Sequence, residues 1–86
     1  MNSEWELVYH GRVVELLATA KGRQKAALVR AFMALRENPY REPDYSERDE
    51  TGRSLSVMMA GEWAISYWLD HLVREIRIVS LEDVGS

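Results

Sequence analysis

Cysteine is absent from all 86 residues, which excludes disulfides and thiolate metal sites as staples of the fold. That absence fits a reducing compartment. No apolar run approaches the roughly 20 residues that cross a bilayer. The start of the chain, Met1 to Glu6, is polar and acidic, without the basic-then-apolar pattern of a targeting signal. Cytoplasm is therefore the expected location, with no membrane partner. There is no internal repeat, low-complexity stretch, glycine-rich phosphate loop or nucleophile elbow. The two histidines, His10 and His71, stand far apart without ligand spacing, so neither a metal site nor a cofactor is expected.

What is present is the composition of an ordinary globular chain: 47% hydrophobic and 29% charged residues. The length suits a single domain over residues 1–86. A domain of that size buries only about 60–65% of its unfolded surface, so modest stability is expected. The formal net charge of −3 argues against tight, general nucleic-acid binding, which draws its affinity from phosphate neutralisation. A local basic patch remains compatible with it.

Trp5 to Tyr9 alternates apolar and polar residues and then ends in an apolar pair, which suits a short strand. Gly11 breaks it. The period then changes. Val13, Val14, Leu16, Leu17 and Ala20 recur at three- and four-residue spacings, predicting a helix over 12–20. Gly22 is a stop or hinge. A second helix, 23–37, carries the stripe Leu28, Ala31, Phe32 and Leu35 and ends at Asn38-Pro39. Tyr40 to Gly52 is charged, poor in apolar residues and without periodicity, and reads as a loop. Three strands follow. The first is Ser54 to Ala60, with Leu55, Val57 and Met59 on one face. Gly61-Glu62 turns the chain into a second strand from Trp63, on which Ile65, Tyr67 and Leu69 share a face opposite Ala64, Ser66 and Trp68. Asp70-His71 breaks the pattern. Arg74 to Leu81 is the last strand, with Ile76 and Ile78 opposite Arg77 and Val79, and Glu82 to Ser86 reads as a tail. The expected class is α+β: two helices on one face of a four-stranded sheet whose last three strands form an antiparallel meander.

This order resembles the RelE/ParE superfamily of toxins from type II toxin–antitoxin systems. Residues carry the resemblance as well. Leu35-Arg36-Glu37-Asn38-Pro39 is similar to the family's second-helix ending, and Arg53-Ser54-Leu55-Ser56-Val57 to the strand after its variable loop. Gly61-Glu62-Trp63, Ile65-Ser66-Tyr67 and Ile76-Arg77-Ile78-Val79 match its turn, its strand tyrosine and its closing strand. The chain departs from the family's ribonucleases at the positions of their arginines. Ala64 follows the turn aromatic where an arginine is usual. Val57-Met58-Met59-Ala60 holds no basic residue, and Ser80-Leu81-Glu82-Asp83 offers no terminal His or Tyr. Cleavage through a 2′-hydroxyl needs a base, an acid and a cation for the developing charge. The resemblance therefore implies a bacterial, plasmid-stabilisation type of toxin that binds protein, as ParE does, more than one that cuts RNA. The alternatives are a non-toxic, degenerate RelE-like binding module and a divergent ribosome-dependent mRNA endonuclease. Implied partners are a cognate antitoxin, gyrase or the ribosome, and a homodimer through exposed sheet edges.

Candidate residues follow. A divergent nuclease would draw on Arg53, Arg77 and Glu82. Arg53 and Arg77, like Arg74, read first as solvated charges at strand ends, and the neighbours Glu82 and Asp83 would point to opposite faces of a strand. Tyr67 and Trp63 share the apolar face and are expected in the core. Trp68 points the other way, exposed or half-exposed on the uncovered face, where an aromatic suits an interface. Met58, Trp68, Arg74 and Val79 are the binding-face candidates. Lys21, Arg23 and Lys25 form a basic patch at the tip of the helical hairpin, a solvated face by default and a contact for an acidic partner otherwise.

Overall fold

The computed structural model describes residues 4–85. The elements are β1 (Glu6–Tyr9), α1 (Gly11–Thr19), α2 (Gly22–Glu37), β2 (Tyr45–Arg48), β3 (Ser54–Ala60), β4 (Trp63–Asp70) and β5 (Glu75–Asp83). One mixed sheet has the order β1-β5-β4-β3-β2, with β1 parallel to β5 and every other pair antiparallel. Both helices lie over one face. This is the expected α+β class with one strand more than expected.

The helices form where the apolar spacing predicts. His10 caps α1, its ring Nδ1 accepting from the Arg12 backbone N–H at 3.3 Å. Val13 is fully buried, and Leu16 and Leu17 pack at the edge of the core. Gly22 opens α2 with φ 57, a left-handed conformation that lets one helix follow another after Ala20 and Lys21 alone. Leu28, Phe32 and Leu35 bring α2 onto the sheet. There they meet Met58, Ile65, Tyr67, Ile76 and Ile78. Arg36 Nε donates to the Trp5 carbonyl at 3.3 Å and ties the end of α2 to the start of β1.

Three expectations are corrected. The stretch 40–52 is not all loop, because Tyr45–Arg48 pairs with β3 as an edge strand. All four of its residues are exposed. The backbone ladder holds it, and no apolar alternation marks it. The last strand also runs past Leu81. Glu82 and Asp83 pair with Ala64 and Trp63, and the Val84 N–H donates to the Glu62 carbonyl at 2.8 Å. Finally, Met58 faces the helices and is only 3% exposed, so it is not part of an open binding face. Val57 pairs with Ser66 and is therefore the residue that shares the face of Trp68.

A bulge decides the faces of β5. Tyr67 pairs with Ile78, while Ser66 pairs with Ser80, which leaves Val79 as the extra residue. Strict alternation from Ile76 and Ile78 would turn Leu81 away from the helices. The extra residue restores its direction, and Leu81 joins the core at 7% exposure.

Leu28, fully buried, and Leu72, 96% exposed, are a matched pair for testing this core. Leu28→Ala is expected to cost about 2–5 kcal/mol in urea unfolding. Leu72→Ala is expected to stay within roughly 0.5 kcal/mol of the parent.

Candidate functional site

The face of the sheet away from the helices is built from alternate residues of four strands. β4 contributes Ala64, Ser66, Trp68 and Asp70, and β3 contributes Leu55, Val57 and Met59. β5 contributes Arg77, Ser80 and Glu82, and β2 contributes Tyr45 and Glu47. Each set follows from pairing register, because directly opposed residues share a face.

Trp68 is the centre of this face. Arg77 is its direct partner on β5, and its guanidinium carbon lies 5.5 Å from the Trp68 ring centroid. Arg53 approaches more closely, at 4.1 Å. Both distances are within cation–π range, worth roughly 0.5–1 kcal/mol each at exposed sites. Arg77 is also held by two carboxylates. Its Nη2 donates to Glu75 Oε1 at 2.7 Å, and its Nε sits 3.4 Å from Asp70 Oδ2, in ion-pairing reach but out of line for a hydrogen bond. The charge of Arg77 is thus largely met inside the chain.

The tip of the β2–β3 hairpin presents Arg53. Asp49 Oδ1 accepts from the Thr51 N–H at 2.9 Å, the Thr51 hydroxyl at 2.7 Å and the Arg53 N–H at 2.9 Å. Arg48 Nη1 donates to the Gly52 carbonyl at 2.9 Å and closes the other side of the turn. The Thr51 hydroxyl is the first cause that holds the Asp49 carboxyl below its usual pKa. Backbone N–H groups and the Arg53 charge help, against an opposing burial effect. Further along the face, Ser66 is buried and its hydroxyl donates to Glu47 Oε1 at 3.0 Å.

Two hollows flank this centre. A cavity of about 220 Å³ lies among Val8, His10, Trp68, Arg77 and Val79. A second, about 560 Å³, runs from His10, Val79 and Ser80 to Glu47, Asp49 and Glu50. His10 and Val79 border both. The bulge residue therefore lies on the open face, where the sequence places it.

The three candidate catalytic residues do not converge. Arg53 and Arg77 meet at Trp68, but Glu82 pairs with Ala64, five residues along β5 from Arg77. At about 3.3 Å per residue that is roughly 16 Å. Arg74 also leaves the set. It sits in the β4–β5 turn with φ 54, and its Nη1 pairs with Glu4 Oε1 at 2.6 Å. Lys21, Arg23 and Lys25 are exposed at the start of α2, on the helix side of the sheet. Tyr67, beside Trp68 in sequence, is 2% exposed on the helix side. Burial raises its pKa, partly offset by Arg41 and by a hydrogen bond with Ser56.

Sequence reasoning missed His10 and Glu47. His10 shows no metal-ligand spacing, and the signal that marks it is its place just before the helix, where a capping side chain belongs. Glu47 lies on the strand that shows no periodicity. Among the described residues no group of three or more His, Cys, Asp or Glu side chains is placed to hold a metal ion, and no helix is long and apolar enough to cross a membrane.

The Asp49 turn gives a pH prediction. A carboxyl whose pKa is lowered by folding contributes fully above its unfolded value, about 3.9. The contribution is lost as the pH falls through the lower folded value. The Trp68 indole N–H resonance should therefore move at acidic pH as the tip loosens and Arg53 leaves the ring. Asp49→Ala should produce the same shift at neutral pH.

No family profile and no curated protein matches the sequence. Among solved structures, the chain is similar to one in the crystal structure of the archaeal RelE–RelB complex from Pyrococcus horikoshii OT3. The TM-score is 0.76 at 15% identity, over 95% of this chain and 97% of that one. The likeness extends across helices and sheet together, and the chain has the RelE fold.

Proposed function

We propose that this chain is the toxin-like component of a type II toxin–antitoxin pair, held by a cognate antitoxin, and that it acts by binding a protein target rather than by cutting RNA. The RelE fold supports the first part. The observation that carries the second is the Arg53–Trp68–Arg77 cluster on the open face. A nuclease needs a cation free to meet developing negative charge. Here Arg77 is engaged by Asp70 and Glu75, and Glu82 lies too far along the strand to act with it. What the face offers is a half-exposed tryptophan braced by two guanidinium groups beside two hollows. Aromatic and arginine anchors of this kind are enriched where proteins bind proteins.

The test is expression of the chain alone from a tightly controlled promoter, with protein and DNA synthesis labelled in parallel. Growth arrest is expected, with DNA synthesis falling first if the target is gyrase. Trp68→Ala should restore colony formation at least tenfold while the chain stays soluble. Normal growth with abundant soluble chain would contradict the toxin and leave the non-toxic binding module. Early loss of protein synthesis with mRNA cut at defined positions would assign the divergent ribosome-dependent endonuclease instead.

A further inference from the structure

A second candidate site lies on the helix side of the molecule, where the start of α2 meets the β3–β4 turn. Gly61 makes the turn with φ 61, and a Cβ there would stand 3.9 Å from that of Ala27. Turn and helix thus nearly touch and border an open cleft of about 410 Å³. That volume is within the usual range for small-ligand sites. Ala27, Ala60 and Trp63 supply apolar walls, Arg23 and Arg30 line the helix side, and Glu62 lines the turn.

Three observations point to an occupant. Trp63 is only 8% exposed, yet its indole N–H has no hydrogen-bond partner among the described residues. Buried donors are normally satisfied. The amino end of α2 is also bare: Lys21 makes no side-chain cap and the first turn has no acidic residue. The free N–H groups there favour negative charge. Finally, charge is segregated along the chain. From Leu16 to Arg36 stand Lys21, Arg23, Lys25, Arg30 and Arg36, five of the eleven cations, and none of the fourteen acidic residues. Among the described residues neither Arg23 nor Arg30 has an ion-pair partner. An acidic protein has gathered nearly half its cations on one hairpin and left those at the cavity unmatched.

We propose that this cavity binds an acidic peptide segment. One apolar side chain of the peptide occupies the space against Ala27 and Ala60, a backbone carbonyl of the peptide accepts from the Trp63 indole N–H, and carboxylates on either side meet Arg23, Arg30 and the bare end of α2. The apolar walls and the Glu62 carboxylate favour this over a nucleic-acid strand. A phosphodiester chain would bring negative charge against Glu62, whereas a peptide places its apolar residue there. This site is separate from the open face around Trp68, and the proposal stands whether or not the chain is a toxin.

The test is a titration of the whole ¹⁵N-labelled chain with a blocked peptide, Asp-Glu-Leu-Phe-Asp-Glu, at low salt. The indole N–H resonances of Trp5, Trp63 and Trp68 are followed together with the amides of α2. A saturable shift of the Trp63 indole and the first-turn amides is expected, with Trp68 unmoved. Reversing both charges, Arg23→Glu with Arg30→Glu, should weaken binding at least tenfold. Both side chains are exposed, so the variant should keep the parent spectrum elsewhere. The affinity should fall as salt is added. The proposal is overturned by no saturable change at Trp63, by an unchanged affinity in the double variant, or by shifts centred on Trp68. It is overturned equally if an oligouridylate moves the same resonances with higher affinity than the peptide.

Discussion

Everything in this molecule depends on the two-residue alternation of β4 being kept in step across its neighbours. Trp63, Ile65 and Tyr67 point to the helices, while Ala64, Ser66 and Trp68 point away. A slip of one residue would exchange the two sets. On β5 the alternation by itself would fail, because Ile78 and Leu81 are separated by an odd number of positions and both belong to the core. The Val79 bulge absorbs the difference. It lets one strand bury Ile76, Ile78 and Leu81 on one side, keep Arg77 opposite Trp68 on the other, and place Val79 at the margin of both hollows.

The open face is accordingly not a plain solvated surface. Val57, on that side, is 1% exposed and Leu55 7%, although no helix covers them. The hairpin tip ordered by Asp49 brings Arg53 onto Trp68, and Glu47 receives the buried hydroxyl of Ser66. Small polar networks replace a second layer of secondary structure. Arg77 is engaged by Asp70 and Glu75, Arg53 lies over the Trp68 ring, and an aromatic surface flanked by cavities remains. A likeness of fold to RelE does not assign a mechanism, since function resides in the site. The proposed recognition role rests on the side chains of this sheet and not on the fold.

Much of this was legible in the sequence, and the physical reasons are particular. The helices declared themselves through Val13, Leu28, Phe32 and Leu35, because each has one buried face and one wet one. β4 was legible in the same way, and so were the opposite fates of Tyr67 and Trp68. β2 was not, because a strand exposed at every residue has no apolar period. Met58 was misassigned because β3 is buried on both sides there, with Val57 and Met58 both nearly inaccessible, so alternation carries no contrast. Arg74 looked like a strand residue but lies in a turn with a left-handed backbone. The Arg53 contact spans 15 residues and the Glu47–Ser66 bond 19, and nothing local announces either.

The central claim is that β4 divides its aromatic neighbours between two faces, with Tyr67 in the core and Trp68 under two arginines. Proton–proton nuclear Overhauser contacts measured in solution test it most directly. The account predicts contacts from the Trp68 ring to the side chains of Arg53 and Arg77, and contacts from the Tyr67 ring to core residues on the helix side alone. Contacts from the Trp68 ring to Leu28, Phe32 or Leu35 would contradict it, because they would mean that the register of the sheet, and with it the open face, is wrong.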